Sequence, residues 1–430
     1  MTPRNDEQTY LLSKTDEGDA PHLKSVSACY VSKLVVKISL LALLLAATLF
    51  FTAMIWKKEG YNLEQELLAT GPYKLLERQE GEAFWDAYNF YDGEDSLGSA
   101  GYNTYVNKER AVELGIISTI QPPDDDRTSM LKMESTVKPH NTSAPRLSIR
   151  LEGKRRYNRG LFILNLKHMP TGCGVWPAFW LTDESGWPAH GEIDILEGIN
   201  TQATAKTALH TRESCSMYAH VPDYAKTGIW DRATGIPNTW TGEPDFETSK
   251  EADDCWAYAP HQWYNQGCVA TSSENNTSLG EPVNEAGGGV YALEWDPANG
   301  YIKSWVFSSA GTEIPSNVNE AMTTASLSGD DRIIPDTESW GLPYAYFAIG
   351  PKSGCAADHF QNMHLVFNLA FCGTVAGNRF AKDCPDLAQQ YDQDGDSWAS
   401  CNAYLRDNAM SLDEAYWLIN GVYVYQREVE

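Results

Sequence analysis

The chain has 430 residues, 14 of them tryptophan, and a formal net charge of −25 at pH 7. This length accommodates two ordinary domains or one large β-sandwich with long loops. The acidic charge argues against nucleic acid as a partner, because binding the phosphate backbone requires a basic surface.

An uncharged apolar segment of 19 residues runs from Ile38 to Trp56. Its length is sufficient to cross the hydrocarbon core of a bilayer. Two lysines lie on each side of it, so the charge bias is too slight to set an orientation. The polar lead before it is long for a cleaved signal peptide, which is the alternative. We therefore predict a cytosolic tail over residues 1–37, a transmembrane signal anchor over 38–56 and a stem over 57–75.

The cysteines favour an oxidising compartment for everything after this segment. Cys29 precedes it, and the other eight of the nine cysteines follow it. An even number predicts up to four disulfides, with about a hundred pairings open. Acceptors for N-glycosylation occur at Asn141, Asn275 and Asn276. These features predict a single-pass type II membrane protein whose main domain is lumenal or extracellular.

Strand-like stretches recur after residue 75, separated by clusters of glycine and proline, and no long amphipathic helix pattern competes with them. They are Leu147–Leu151, Leu161–Leu166, Val290–Trp295, Tyr301–Phe307, His364–Ala370 and Val422–Tyr425. The pattern predicts one all-β domain over residues 76–430. Asp223–Asp254, rich in glycine, proline and acids, is interpreted as a long surface insertion.

The run Gly191–Gly198 interleaves three acids with aliphatic residues. Because side chains alternate along a strand, Glu192 and Asp194 share a face. Glu197 lies an odd number of positions after Glu192, so a β-bulge is required to bring it to that face, and we predict one. Clustered carboxyl groups repel, so that one of them retains its proton. A protonated acid beside a carboxylate is the requirement for cleaving a glycosidic bond, whereas the alternative is an acidic edge strand that blocks aggregation.

This motif resembles the family-16 glycoside hydrolases, and most of all the fungal-type, laminarinase-like endo-1,3(4)-β-glucanases. The likeness also includes Trp176–Leu181 and Leu209–Thr211, and extends through further stretches in the expected order: Gly160–Asn200, Gly288–Trp295, Trp340–Pro343, Phe371–Gly373 and Ala415–Asn420. It therefore covers most of the chain from about residue 75 onwards. The resemblance implies a jelly-roll β-sandwich with a concave substrate cleft.

The resemblance also implies the catalytic roles. Glu192 matches the family's nucleophile and Glu197 its general acid/base, while Asp194 orients the nucleophile and tunes its charge. The extra residue Leu196 matches the bulged form of the motif. No metal ligand is assigned. The family allows a structural calcium without ligands that can be named here, and Asp392–Asp396 is interpreted as a solvated turn, because its glycine is misplaced for an EF-hand loop.

Four more residues match substrate-binding positions of the family. Trp180 and Trp187 correspond to tryptophans that stack on sugars, Arg150 to an arginine that hydrogen-bonds the glucan, and His210 to a histidine near the acid/base. For any of these tryptophans the alternative role is packing in the core. For Trp176, core packing and a place at the sugar-binding face are equally compatible with the sequence. For Arg150 the alternative is a surface ion pair, and for His210 a buried histidine with satisfied hydrogen bonds.

One position departs from the family pattern. Where the family usually has a tryptophan two residues after its Phe-Cys-Gly triplet, this chain has Val375. A stacking platform at one end of the cleft is therefore expected to be missing.

The resulting expectation is a monomeric, retaining endo-β-glucanase that acts on β-1,3- and mixed β-1,3/1,4-glucans, with the membrane and the polysaccharide as its partners. Two alternatives stay open. A wall-remodelling transglycosylase would use the same fold with a sugar in place of water as acceptor. A non-catalytic glucan-binding protein would typically have lost one or both glutamates, and Glu192 and Glu197 are both present.

Overall fold

The computed structural model describes residues 37, 44, 45, 48, 69–95, 98–121, 130–135, 144–233, 251–273, 277–308, 311, 313–323, 335–408 and 412–428. Two compact units divide the chain, residues 1–62 and residues 63–430. In the second unit the first strand begins at Tyr73, inside the segment assigned above to the stem.

Strands dominate the second unit. In chain order they are β1 Tyr73–Gln79, β2 Tyr88–Phe90, β3 Gly93–Glu94, β4 Asn103–Tyr105, β5 Ile117–Ile120, β6 Met130–Met133, β7 Arg146–Ser148, β8 Arg150–Gly153, β9 Gly160–His168, β10 Val175–Thr182, β11 Glu192–Glu197, β12 Lys206–His210, β13 Ile229–Trp230, β14 Cys268–Thr271, β15 Gly289–Asp296, β16 Tyr301–Ser308, β17 Ala345–Ala348, β18 His364–Phe371 and β19 Trp417–Arg427. The α-helices are α1 Lys108–Leu114, α2 Glu281–Glu285, α3 Ser316–Thr323, α4 Phe380–Asp383, α5 Pro385–Gln390 and α6 Ser397–Asp407.

Two eight-stranded sheets contain most of these strands. Sheet A has the order β17-β16-β15-β9-β19-β6-β5, with β1 also paired to β19. Sheet B has the order β13-β14-β12-β11-β10-β18-β8-β2, so the acidic strand β11 lies near its middle. All pairings within the two sheets are antiparallel. A small third sheet joins β3, β4 and β7.

The main apolar core lies between the two large sheets. Phe162 and Leu164 of sheet A belong to the same buried cluster as Phe179 and Ile193 of sheet B. This shared core makes the domain an all-β sandwich, as the sequence predicts. The core also determines which face of β11 points inward. Because Ile193 must point into the core, the acids on either side of it point to the opposite face of sheet B.

Each predicted strand is present, with one difference. Leu147–Leu151 divides at Ile149 into β7 and β8, which belong to different sheets. Ile149 itself is buried in the main core, so the chain is held where it passes from one sheet to the other. The insertion over 223–254 also contributes β13, which extends sheet B, while residues 234–250 lie outside the described residues.

The eight cysteines after the apolar segment form four disulfides, as expected from their number. The pairs are Cys173–Cys384, Cys215–Cys355, Cys255–Cys268 and Cys372–Cys401. Two of them fasten the helices α4 to α6, which the sequence pattern did not predict, to the sandwich. These helices are too short for a clear apolar periodicity, and their buried faces pack against Val175 and Phe371.

The predicted tail and anchor fall mostly on residues outside those described. Of residues 1–56, only Lys37, Leu44, Leu45 and Thr48 are described, and each lies in helix. Among described residues, no helix has the length and apolarity needed to cross a membrane. The glycosylation acceptors Asn141, Asn275 and Asn276 also lie outside the described residues.

Candidate active site

The predicted bulge is present in β11. Trp180 of β10 lies opposite Asp194, and the preceding Phe179 lies opposite Leu196. The unpaired, extra residue is therefore Ile195 and not Leu196, the residue assigned from the motif, because Leu196 keeps a partner in β10. Ile195 and Leu196 are both buried in the core. Two successive residues therefore point inward, and Glu197 returns to the face that carries Asp194.

Glu192, Asp194 and His210 form a compact cluster on this face. Glu192 lies opposite His210 in the neighbouring strand β12. The imidazole Nε2 of His210 is 3.0 Å from Oδ2 of Asp194, and both side chains are buried. One ligand atom from each of the three residues lies within 4.8 Å of the others. The two strands thus hold two carboxyl groups and one imidazole together on one face of sheet B.

Two indole groups fix the two glutamates. Nε1 of Trp187 donates to Glu192 at 2.6 Å, and Nε1 of Trp176 donates to Glu197 at 2.7 Å. Trp176 also packs against Ile199, so this one side chain combines apolar packing with a hydrogen bond to a candidate catalytic residue. Hydrogen bonds of this kind favour the ionised form of a carboxyl group and restrict its rotamer.

Burial raises the pKa of Glu192, and the neighbouring Asp194 raises it further, against the opposing effects of His210 and Trp187. Burial likewise raises the pKa of Glu197, and Glu192 adds to this, although the Trp176 hydrogen bond lowers it. The pKa of Asp194 is also raised, by burial first and by Glu197. The cluster therefore holds a proton to higher pH than exposed carboxyl groups do, which the motif predicted.

His210 supplies the positive charge of the cluster. Burial lowers its pKa, but the hydrogen bond to Asp194 and the charges of Glu192 and Glu197 outweigh burial and raise the pKa to about 9. The only group of three potential metal ligands among the described residues is Glu192, Asp194 and His210. A histidine must lose its proton to bind a metal ion, so a metal ion here would compete with the proton on His210.

Arg150 and Trp180 lie on the other side of β11. The Arg150 guanidinium lies 5.2 Å from the centre of the Trp180 ring and donates to Glu152 at 3.0 Å and to Glu184 at 3.1 Å. Nε1 of Trp180 donates to Asn368 of β18 at 2.8 Å. Arg150 is buried, and it forms ion pairs with the partly exposed Glu152 and Glu184, as in the alternative interpretation of this residue. The ion pairs hold the arginine beside the tryptophan ring, and its binding to a glucan stays a prediction.

Sequence reasoning missed Asn368, Glu152, Glu184 and the role of Trp176. Asn368 meets Trp180 only because β18 pairs with β10, and the two residues are far apart in the sequence. No spacing rule connects them. For Trp176 a signal existed, since it shares its strand face with Trp180, and alternation alone places both on the side of the acids.

The acidic loop at Asp392–Asp396 uses its carboxylates locally. Oδ1 of Asp392 accepts from the amide of Gly395 at 3.1 Å, and Oδ1 of Asp396 accepts from Ala399 as the N-terminal cap of α6. These bonds describe a turn that leads into a helix.

The model of the XgeA-like catalytic GH16 domain matches residues 88–425. The chain belongs to glycoside hydrolase family 16. A probable endo-1,3(4)-β-glucanase of Aspergillus fumigatus is 34% identical over 357 residues, which cover 82% of this chain and 45% of that protein. A probable glycosidase of Schizosaccharomyces pombe is 33% identical over 357 residues, which cover 82% of this chain and 69% of the relative. The chain thus spans about half the length of curated relatives such as the Aspergillus protein.

Solved family-16 structures are similar throughout the domain. An elongating β-1,3-glucosyltransferase has a TM-score of 0.64 at 29% identity and covers 82% of this chain and 100% of its own. Laminarinase 16A from Phanerochaete chrysosporium was solved with β-glucans in both donor and acceptor sites. It has a TM-score of 0.62 at 28% identity, and the match covers 82% of this chain and 99% of the laminarinase chain. The sandwich and its position in the family are consistent with the sequence-based resemblance.

The family-16 domain has Val375 within a turn of π-helical geometry, Gly373–Gly377, that follows β18. Val375 is 38% exposed, and the next residue, Ala376, packs against Trp176. The turn therefore lies beside the tryptophan that holds Glu197. The loss of a stacking ring at this position stays a prediction.

Replacing Trp187 by phenylalanine is expected to separate its two roles. The ring is kept, but the donor to Glu192 is lost, so the pKa of Glu192 rises and the acidic limb of a kcat/KM profile moves to higher pH. A hydrogen bond to a charged group contributes about 1.5–3 kcal/mol, so kcat/KM on the acidic side should fall roughly tenfold or more.

The matched variant is Trp176→Phe, which removes the donor to Glu197 instead. This substitution raises the pKa of Glu197, the acid/base candidate. It should therefore move the basic limb of the kcat/KM profile to higher pH and leave the acidic limb in place. Identical profiles for both variants would show that the two indoles do not act on separate carboxyl groups.

Proposed function

We propose that the domain is a retaining endo-β-glucanase that hydrolyses β-1,3- and mixed β-1,3/1,4-linked glucans. The observation that supports this most directly is the bulge in β11, which places Glu197 on the same face as Glu192 and Asp194. Retaining enzymes need two carboxyl groups about 5–5.5 Å apart, and this separation stays a prediction for Glu192 and Glu197.

The mechanism assigns one step to each glutamate. Glu197 protonates the glycosidic oxygen while the Glu192 carboxylate attacks the anomeric carbon, so the C–O bond breaks and a glycosyl-enzyme ester forms. Glu197, now ionised, removes a proton from water, which attacks the same carbon and releases Glu192. Two inversions retain the configuration of the sugar.

Asp194 and His210 assist without touching the scissile bond. The hydrogen bond between them holds Asp194 beside Glu192, and the imidazolium offsets the negative charge of three neighbouring acids. When Glu192 becomes an ester it loses its charge, so the pKa of Glu197 falls as the second step requires a base. Arg150, Trp180 and Trp187 are proposed to bind the glucan by hydrogen bonding and ring stacking.

The test is the stereochemistry and size of the products. Full-length protein is incubated with laminarin, lichenan and xyloglucan, reducing ends are counted, and the first anomer released is identified by proton NMR. We expect release from laminarin and lichenan with the β-anomer appearing first. A first product of α configuration would contradict the two-step mechanism.

A glucan transglycosylase is the second candidate. It is favoured by the similarity to an elongating β-1,3-glucosyltransferase and by the expected loss of a stacking ring at Val375, whose turn lies beside Trp176. Products longer than the supplied oligosaccharide would identify transfer, whereas shorter products alone indicate hydrolysis.

For the whole chain we propose a monomer anchored by residues 38–56, with the catalytic domain lumenal or extracellular. The uncharged apolar run and the four disulfides of the domain support this topology. Carbonate extraction of membranes should leave the protein in the pellet, and recovery in the soluble fraction would contradict an uncleaved anchor.

A further inference from the structure

Aromatic side chains continue from Trp187 onto the segment between Cys255 and Cys268. The ring of Tyr258 meets Trp187 edge-on, with 6.3 Å between centroids. Tyr258 also lies 5.2 Å from Tyr264 and 6.4 Å from Trp256. The rings therefore form one connected series that begins at the indole bonded to Glu192.

The chain holds this segment firmly against the end of β12. A disulfide joins its two ends, Cys255 and Cys268. The amide of Thr211, directly after His210, donates to Cys255 at 2.8 Å, and Ala257 donates back to Thr211 at 3.0 Å. Inside the segment, the buried amide of Gln262 donates to the carbonyls of Asp254 and Gly267 at 2.7 Å each.

Gly267 permits the close approach to the catalytic strands. Its φ is +65°, and an added Cβ would lie 2.2 Å from the carbonyl oxygen of Leu209 and 2.9 Å from Nδ1 of His210. Only glycine fits here without displacing the histidine. The aromatic segment is thus placed by the same backbone that places His210.

Two of these rings are open to solvent. Tyr258 is 36% exposed and Tyr264 is 37% exposed, so part of each ring is accessible to a ligand. They lie on the β12 side of β11, whereas Arg150 and Trp180 lie on the β10 side. A polysaccharide that crosses the strands would meet Trp180 on one side of the glutamates and these tyrosines on the other.

We propose that Tyr258 and Tyr264 form a saccharide-binding platform that extends the cleft beyond Trp187, opposite Trp180, and binds glucose units distant from the bond that is cleaved. This proposal rests on the proposed function of the site. Flat pyranose faces pack on exposed aromatic rings, and the acids Asp253 and Asp254 just before the segment favour a neutral over an acidic polysaccharide.

The test compares substrate lengths. Full-length wild type, Tyr258→Ala and Tyr264→Ala are assayed on laminari-oligosaccharides of three to eight units. We expect each alanine variant to lose about fivefold in kcat/KM on the longest substrates and to match wild type on the shortest that is cleaved, because one stacking contact contributes on the order of 1 kcal/mol. Tyr258→Phe and Tyr264→Phe keep the rings and should behave as wild type.

Tyr224→Ala is the control for loss of an exposed tyrosine, since Tyr224 is 81% exposed and lies near Tyr346 of sheet A. Equal losses on short and long substrates, or no loss on any, would overturn the platform while leaving the proposed function standing. Retardation by laminarin in native gels gives a comparison that does not need catalysis. Weaker retardation of the alanine variants supports the platform, and unchanged retardation, or none for wild type, overturns it.

Discussion

Replacing Glu197 by alanine should abolish hydrolysis of laminarin and yet leave an enzyme that azide can rescue. General acid–base catalysis contributes roughly 10²–10⁴-fold, so kcat on the polysaccharide is expected to fall by about that factor. A dinitrophenyl glycoside needs no proton to depart, so Glu192 still forms the ester with it. Azide then displaces Glu192 from the anomeric carbon without a base, and the product is the β-glycosyl azide.

Replacing Glu192 by alanine should give the opposite anomer. No ester can form, so azide attacks the β-glycoside directly and yields the α-glycosyl azide in a single inversion. The configuration of the azide therefore assigns the roles within the pair by NMR, independently of how far each rate falls. β-Azide from the Glu192 variant would reverse the assignment.

Glu338→Gln is the matched control for both variants. Glu338 belongs to a short helical turn and pairs only distantly with Lys303, at 3.8 Å, with its side chain 78% exposed. It should leave every rate unchanged. Melting temperatures within a few degrees of wild type for all variants would assign the losses to chemistry rather than to unfolding.

The geometry of the acidic strand β11 could be predicted from the sequence because its pattern is local. Alternation places Glu192 and Asp194 together, and the burial of Ile193 against the other sheet leaves no second register. The bulge follows from the odd spacing to Glu197, since only an extra residue can bring it to the same face. All-β architecture follows from the same rules applied to longer strands.

The remainder of the site depends on strand order, which local patterns do not contain. Trp180 donates a hydrogen bond to Asn368 because β10 and β18 are neighbours in sheet B. Arg150 likewise bonds to Glu184, which is distant from it in the sequence. The disulfide pairing cannot be predicted from local patterns for the same reason, because Cys173 and Cys384 are 211 residues apart. The exposure of Tyr258 and Tyr264 could not be predicted either, because the number of aromatic residues does not show which of them are buried and which lie on the surface.

Replacing His210 by glutamine should destabilise the domain and change how its stability depends on pH. The variant leaves Asp194 buried beside two other acids without the imidazolium, and removing one partner of a buried ion pair costs about 3–5 kcal/mol. The free energy of unfolding, measured in urea at pH 6, should fall by that order.

The sign of the pH dependence follows from the raised pKa. The folded protein binds the His210 proton up to a pKa of about 9, whereas the unfolded chain releases it near 6.5. The stabilisation is therefore complete below about pH 6.5 and is lost as the pH rises to about 9, a change of about 3 kcal/mol. The raised pKa values of Glu192 and Asp194 act in the same direction at lower pH. Urea titrations from pH 6 to 9.5 should thus show a falling stability for wild type and a flatter curve for His210→Gln.

Asp194→Asn separates the charge from the histidine itself. Without the Asp194 carboxylate the pKa of His210 falls, so the loss of stability should still begin near pH 6.5 but end at lower pH and be smaller than in wild type. If the two residues act as one pair, the double variant Asp194→Asn with His210→Gln will be more stable than the sum of the single losses predicts, because no isolated charge remains from the pair. Additive losses would show that His210 stabilises the domain through Glu192 and Glu197 rather than through Asp194.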